Sequence, residues 1–135
     1  MMIELVYVSR SRLPEETADR EIARIVEHSM RHNAEQRITG ALLFTGTRFC
    51  QLLEGMAFAV RDLMEDIARD PRHGEVTIVH DRDIDARRFS RWAMAYSGRA
   101  GFAGRQIQDV LTAAGEAERA LAVERVIDRM GDVVW

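Results

Sequence analysis

The sequence has no lysine and only one cysteine, and its charge pattern and its single cysteine exclude classes of function. All nineteen basic residues are arginines, which alternate with acidic residues along most of the chain, and the formal net charge is -3. No basic stripe of the kind that binds nucleic acid is present. Cys50 has no partner for an internal disulfide, and with four scattered histidines it provides no metal-ligand spacing. We therefore expect neither a nucleic-acid partner nor a structural zinc.

Long apolar runs are also missing. The start MMIELVYVSR has no cationic lead and too short an apolar stretch for a signal peptide. No later run approaches the roughly 20 residues of a membrane span. We therefore expect a soluble, cytoplasmic protein that does not contact membranes. Its 135 residues, 47% of them hydrophobic, are enough for one ordinary domain.

The apolar periodicity predicts a β-α-β-β-α-β-β order followed by two short helices. The predicted strands are 2–9, 38–45, 48–54, 76–84 and 91–98, and the predicted helices are 15–31, 58–70, 106–114 and 116–130. This order is typical of an α+β, ferredoxin-like sheet with both crossover helices on one face. The stretches ELVYV and GALLF are apolar on both sides, so the C-terminal helices or a partner chain should cover the other face. We divide the chain into a core, 1–98, and a C-terminal helical cap or output segment, 99–135.

Polar side chains occur where the pattern calls for apolar ones. Alternation puts Gln51 on the same strand face as Leu53, and it puts Tyr7 on an apolar face of the first strand. A buried amide without partners costs about 1–3 kcal/mol, so a hydrogen-bonding partner is expected on that face. His32 and Asn33 add polar groups at the predicted end of the first helix. Each residue alone has a structural explanation, such as an asparagine C-cap, but together they predict a polar pocket between helices and sheet.

The predicted pocket lacks the motifs of most enzymes. The sequence contains no GxSxG, no P-loop, no GxGxxG and no paired carboxylates on adjacent positions of an apolar strand. Cys50 points away from Gln51 by alternation and is expected to be a small buried hydrophobe. A phenol beside an amide in a dry layer favours ligand hydrogen bonding or redox chemistry over hydrolysis.

Five motifs follow one another along the chain: LVYVSR, HNAEQRITGALLF, FCQLLEG, DPRH and RRFSRWAM. In this order and spacing they resemble the BLUF family, the blue-light sensors that use FAD, over about residues 2–98. The resemblance implies a photoreceptor rather than an enzyme, with a flavin held noncovalently between the two helices and the sheet. It also implies a separate downstream protein partner, and homo-oligomers such as dimers are common among short members of this class.

The resemblance also implies roles for individual residues. Tyr7 would be the light-sensitive tyrosine and Gln51 the glutamine between it and the flavin. Ile25 and Ile67 would pack against the two faces of the ring. The other implied positions are Asn33 at the carbonyl and imide edge of the ring, His32 beside it, Asp70 and His73 near the polar end, and Trp92 and Met94 on the last strand.

The implied photochemistry begins at Tyr7, which gives up an electron and then a proton in the light. When these return, the Gln51 amide is left rotated, tautomerised or both, and its hydrogen bonds are changed. The signal should leave through residues 91–98 and the helices behind them. Asp66 stands where some members carry a basic side chain near the cofactor phosphates, so FAD, FMN and riboflavin all stay possible.

Two other functions are compatible with the sequence. The first is an acylphosphatase-like hydrolase on the same scaffold, using Arg48 and Asn33, although the phosphate-cradling loop that it needs is absent. The second is a light-independent interaction module that has lost its pocket chemistry. The presence of Tyr7, Asn33 and Gln51 together argues against the second.

Overall fold

A computed structural model describes residues 1–90, 95–99 and 103–134 of the chain, with the backbone alone for 95–99 and 132–134. The elements, in chain order, are β1 (Met2–Ser11), α1 (Ala18–Glu35), β2 (Thr39–Phe44), β3 (Arg48–Met56), α2 (Ala57–Arg69), β4 (His73–Ile84), β5 (Ala95–Arg99), α3 (Gly104–Thr112) and α4 (Glu116–Val134). The predicted order of strands and helices is confirmed. Residues 91–94, the first part of the predicted last strand, lie outside the described residues.

The strands form one sheet in the order β4-β1-β3-β2-β5. The four strands β1 to β4 pair antiparallel, and β5 adds to β2 in parallel. Crossovers through α1 and α2 put β1 next to β3 and β4, which is the ferredoxin-like arrangement that the sequence predicts. In the described part of the chain, no helix is long and apolar enough to cross a membrane.

Both faces of the sheet are covered by helices of this chain. Leu5 and Tyr7 point toward α1 and α2, where they join one buried cluster with residues such as Ile22 and Val60. Val6 and Val8 point to the other face, into a second cluster built from α3 and α4. This alternation explains why most residues of β1 are apolar on both faces. The C-terminal helices provide the predicted cover.

Helix α1 ends four residues later than the predicted Arg31. Its last turn is a Schellman motif, in which the amide of Ile38 donates to the carbonyl of Asn33 at 2.8 Å and that of Arg37 donates to Ala34. Arg37 takes the left-handed conformation, with φ of 56°. Asn33 is therefore inside the helix and is not its C-cap. This helix end was not predicted from the sequence, because the Schellman motif usually has glycine at the position that Arg37 occupies.

Two buried carboxylates lie side by side on the sheet face under α3 and α4. Glu4 of β1 and Glu54 of β3 are directly opposite in the register, and each is 0% exposed. Burial raises the pKa of Glu4, but hydrogen bonds from His80, Arg88 and Arg82 outweigh it and lower the pKa from 4.5 to about 2. Glu4 is therefore an ionised group inside the protein, held by cations on neighbouring segments.

Gly40 is needed for the close approach of β2 to β3. A Cβ atom at this position would lie 1.9 Å from the carbonyl oxygen of Leu52. Gly40→Ala should therefore push the strands apart and lower the free energy of unfolding by about 1–3 kcal/mol, measured by urea titration. Gly104→Ala is the control, because no atom lies within 4 Å of a Cβ there. Equal stability of Gly40→Ala and the wild type would contradict this packing.

The depressed pKa of Glu4 predicts a loss of stability in acid. A carboxyl whose pKa is lower in the folded than in the unfolded state stabilises the fold above its unfolded pKa, and this stabilisation disappears as pH falls through the folded pKa. The difference in unfolding free energy between the wild type and Glu4→Gln should therefore shrink by about 3 kcal/mol between about pH 5 and about pH 2. Glu75→Gln, which changes an exposed carboxylate, should follow the wild-type curve. A difference that is constant with pH would contradict the prediction.

Candidate functional site

A cleft opens between α1, α2 and the sheet. It encloses about 720 Å³, part of it open to solvent. Its walls come from β1, α1, β2, β3, α2 and the start of β4, and the lining residues are Tyr7, Ile25, His28, Ser29, His32, Asn33, Leu42, Phe49, Gln51, Leu63, Asp66, Ile67, Asp70, Arg72 and His73. Apolar side chains and convergent polar groups lie together in this cleft, as they do in small-molecule sites.

Tyr7 and Gln51 form the buried polar centre of the cleft. They are directly opposite in the β1–β3 ladder, and the Tyr7 hydroxyl donates a hydrogen bond to Oε1 of Gln51 at 2.5 Å. Tyr7 is 1% exposed and Gln51 is 5% exposed. Burial raises the pKa of Tyr7, and the charge of Asp70 adds to this shift, so the phenol keeps its proton. The amide is thus the predicted partner of the tyrosine.

On the other side of Tyr7, the register of β1 with β4 shifts between Val6 and Tyr7. Val6 is opposite His80 and Tyr7 is opposite Ile78, so the pairing skips one residue of β4, Val79. Such a bulge increases the local twist and changes the direction of the side chains beside it. It lies at the level of the photoactive tyrosine that the motifs imply.

The DPRH motif is a tight turn that carries three polar side chains to the cleft. The amide of His73 donates to the carbonyl of Asp70 at 3.1 Å across Pro71, and the side chain of Asp70 accepts hydrogen bonds from Arg72. Arg72 lowers the pKa of Asp70. β4 begins at His73, three residues before the predicted start of this strand at 76.

His73 is buried beside Tyr7. Its Nδ1 atom lies 2.7 Å from the Ser9 hydroxyl, and its ring meets the Tyr7 ring edge-on with 6.0 Å between centroids. Burial lowers the pKa of His73, although the charge of Asp70 opposes this. His73 therefore favours the neutral form, whose Nδ1 can either donate a hydrogen bond to the Ser9 hydroxyl or accept one from it.

The helices supply the two side walls. Ile25 of α1 and Ile67 of α2 both line the cleft, as do His32 and Asn33 in the last turns of α1. The rings of His28 and His32 are stacked, with 6.3 Å between centroids. The Nδ1 atom of His32 is buried and has no hydrogen-bond partner among the residues that the structure describes. A ligand with a hydrogen-bonding edge would provide one.

The described cofactor residues expected from the sequence motifs all line one cleft, as the full lining shows. Trp92 and Met94 lie outside the described residues. Sequence reasoning did not assign cofactor contacts to His28, Ser29 and Leu63, although helical spacing from Ile25 and Ile67 places them on the same faces. Ser9 was missed as well, since its link to His73 depends on the pairing of β1 with β4.

The hydrolase alternative loses its site in the structure. Asn33 lines the cleft, whereas Arg48 does not. Arg48 and Gln51 are three positions apart on β3, so the alternation of the strand turns the two side chains to opposite faces. In the described part of the chain, no group of three His, Cys, Asp or Glu side chains could hold a metal ion.

Comparison with known proteins identifies the family. Residues 2–95, well over half of the chain, match the family described as sensors of blue-light using FAD, or BLUF. The chain belongs to the BLUF family. The family consists of blue-light sensors that use FAD, as the five motifs predict.

Two curated BLUF relatives are larger proteins. Photoactivated adenylate cyclase subunit beta of Euglena gracilis is 38% identical over 91 residues, which is 67% of this chain and 10% of that protein. The blue light- and temperature-regulated antirepressor BluF of Escherichia coli (strain K12) is 34% identical over 94 residues, which is 70% of this chain and 23% of that protein. The chain thus spans a tenth to a quarter of the length of these relatives.

A solved BLUF structure extends the similarity to the C-terminal helices. The dark-state structure of BlrB, a BLUF protein, has a TM-score of 0.74 and 34% identity, and the match covers 93% of this chain and 94% of BlrB. Since the match covers nearly the whole chain, the fold similarity is not limited to the family stretch 2–95.

The cleft residues fit a flavin. Isoleucines from both helices, Ile25 and Ile67, line the cleft and suit the apolar faces of a planar ring, and the unsatisfied Nδ1 of His32 suits its polar edge. Tyr7 and Gln51 add a donor and an amide in the dry layer. These groups match the chemistry of a flavin ring, which has apolar faces and a hydrogen-bonding edge.

Cys50 should be inert because it lies under α3 and α4, away from the cleft. Burial raises the pKa of its thiol to about 12, so the reactive thiolate is scarce. We expect no reaction of the native protein with a chromogenic disulfide reagent at about pH 8, and full reaction after denaturation. Rapid labelling of the native protein would contradict the burial of Cys50.

Proposed function

We propose that this BLUF protein detects blue light through a flavin bound noncovalently in the cleft, with Tyr7 and Gln51 as the photoactive pair. The observation that supports this most is the hydrogen bond from Tyr7 to Gln51 at the buried centre of the cleft. The flavin, when bound, supplies the absorption of blue light and accepts an electron and a proton in the excited state. All remaining steps belong to side chains of the protein.

Tyr7 is the donor. Its raised pKa keeps the phenol protonated in the dark, so electron and proton are both available from one side chain. Burial excludes water, which would otherwise compete for the proton and for the hydrogen bond. The contact to Oε1 of Gln51 gives this proton a defined direction.

Gln51 is the switching residue. An amide presents a carbonyl oxygen and an NH₂ group, so rotation about its last torsion exchanges acceptor and donor. In the dark arrangement, Oε1 accepts from Tyr7. Oxidation and re-reduction of Tyr7 in the light leaves this amide rotated, tautomerised or both. The product has the same atoms as the dark state but a different hydrogen-bond pattern around Gln51. This pattern reverts thermally in the dark.

The remaining expected residues hold the cofactor. We assign Ile25 and Ile67 to the two faces of the ring, and Asn33 with His32 to its carbonyl and imide edge. Their positions on opposite walls of one cleft support this assignment. Asp70 and His73 complete the set at the polar end, where the turn of the DPRH motif fixes them.

FAD is the flavin that we propose, in line with the description of the family. Arg72 lies at the cleft beside Asp66 and Asp70, and its guanidinium is bonded to Asp70. The acidic residues at this mouth leave FMN and riboflavin as alternatives. Chromatography of the cofactor released by heat from the purified protein separates the three.

Residues 99–135 act as the output segment in this proposal, and the signal reaches them through the last strand, where either Trp92 or Met94 is expected near Gln51 and the other outside the pocket. The downstream protein partner is of unknown kind.

We also propose a homodimer. Because α3 and α4 cover the outer face of the sheet, a dimer needs another surface, and Phe58 (68% exposed) and Leu121 (63%) are candidates. Light scattering measures this directly.

The proposal predicts distinct outcomes for two conservative variants. Tyr7→Phe should bind flavin but show no reversible red shift after blue light, because the donor hydroxyl is gone. Gln51→Leu should bind flavin with the shift also lost, because the amide that reorganises is gone. Light-minus-dark absorption spectra measure both.

The control is Leu63→Met, which keeps the volume of an apolar wall residue and should keep the red shift. A normal photocycle in either Tyr7→Phe or Gln51→Leu would remove that residue from its role. A wild-type protein that binds flavin but shows no red shift would favour the light-independent interaction module.

A further inference from the structure

Two polar pairs occupy the same β1–β3 ladder on opposite faces of the sheet. Tyr7 is directly opposite Gln51, and Glu4 is directly opposite Glu54. The pairs are three residues apart, or about 10 Å along the strands at the usual rise per residue. Because three is an odd number, the first pair faces the cleft and the second faces α3 and α4. A shift of β1 against β3 would therefore change the relative positions of the side chains in both pairs.

Glu54 holds the segment that leads to β5. Its Oε1 accepts the backbone amide of Phe89 at 2.7 Å, and its Oε2 accepts that of Arg88 at 2.9 Å. Phe89 is 3% exposed and joins the apolar cluster under α3 and α4. The neighbouring Arg87 adds bonds to the Thr39 hydroxyl and to the carbonyl of Glu54. This segment is thus fixed to β3 at several points.

The side chain of Arg88 joins the sheet to α4. Its Nε donates to Oε2 of Glu4 at 2.7 Å, and its Nη2 donates to Oε1 of Glu124 on α4 at 2.8 Å. The other oxygen of Glu4 accepts from His80 and Arg82 on β4. One guanidinium therefore bonds to a carboxylate of the central sheet and to one on the C-terminal helix.

The two arms of this bridge differ in strength. Glu4 is 0% exposed, so its bond to Arg88 is screened little by solvent, and breaking it would leave a buried charge. The side chain of Glu124 is 45% exposed and that of Arg88 is 32% exposed, so the outer arm is a weak surface pair. A small displacement of Arg88 can open the outer arm while the inner arm stays closed.

We propose that Arg88 is a positioning residue that couples the photoactive pair to helix α4. The inference rests on the proposed photochemistry at Tyr7 and Gln51. A change in that pair shifts β1 against β3, and Glu4 and Glu54 carry the shift to residues 87–89. Arg88 then alters its bond to Glu124. The packing of α4 thereby reports the state of the cleft on the other face of the sheet.

Glu124→Ala tests this with little risk to the fold, because it removes the outer arm alone. The full-length protein, loaded with FAD, is measured in the dark and under blue light, with absorption as the readout of the cleft and amide hydrogen exchange of 116–134 as the readout of α4. We expect an unchanged red shift and a light-minus-dark difference in exchange at α4 that is smaller than in the wild type by about twofold or more. Arg88→Lys should behave in the same way, since an ammonium lacks the fork that bonds both carboxylates.

Glu75→Ala is the matched control, because it breaks an exposed pair with Arg10 elsewhere on the surface and should leave the exchange difference of α4 unchanged. A Glu124→Ala protein with the wild-type exchange difference overturns the inference and leaves the photochemistry intact. Loss of the red shift in Glu124→Ala also overturns it, since the bridge would then act on the cleft itself. A wild-type protein without a red shift overturns the photochemistry, and the inference with it.

Discussion

The pairing of β1 with β3 is the constraint on which the rest of the structure depends. Its register sets Tyr7 opposite Gln51 and, three residues away, Glu4 opposite Glu54. A slip of β3 by one residue would turn Gln51 and Glu54 to the wrong faces. Because β1 and β3 have apolar side chains on both faces, apolar packing alone does not exclude such a slip, and the polar residues specify the register. The polar residues that they carry are costly to bury, so each is matched by a partner in the same layer.

This arrangement explains how a protein can use one thin sheet for two tasks. One face needs a dry cavity where a phenol and an amide meet, and the other needs polar groups that hold the segment leading to β5. Helices α1 and α2 close the first face, and α3 and α4 close the second. Interiors are closely packed and barely compressible, which is the physical basis of the proposed coupling between the two faces.

Much of the fold follows from the sequence, because strands such as ELVYV and GALLF and the helical stripes around Ile22 and Val60 carry strong periodic patterns. The boundaries of the helices and strands do not follow from the sequence in the same way. Helix α1 continues to Glu35 because Arg37 takes a left-handed conformation that is uncommon for its residue type. Strand β4 begins at His73 because it pairs with Ser11, a residue far away in the sequence. Local patterns contain no information on such pairings.

The same distinction applies to the site. Alternation alone placed Gln51 and Tyr7 on apolar faces, and the ordered motifs brought in Asn33, Asp70 and the two isoleucines. The contact of Ser9 with His73 and the pairing of the two glutamates were not predicted, because they depend on the register between distant strands. In the sequence alone, Glu4 is a charged residue in an otherwise apolar stretch. Its partner Arg88, which is distant in the sequence, becomes apparent only in the structure.

The position of β4 also matters for how the protein avoids aggregation through the edge of its sheet. This strand forms one edge of the sheet, and edge strands offer unpaired backbone groups to which a foreign strand can add. Its outer half carries Asp81, Arg82 and Asp83, all exposed, and the irregular pairing with β1 next to Tyr7 interrupts the flat surface that a second strand would need. Charge and local twist together make this edge a poor template for aggregation, even though Ile78 is exposed on it.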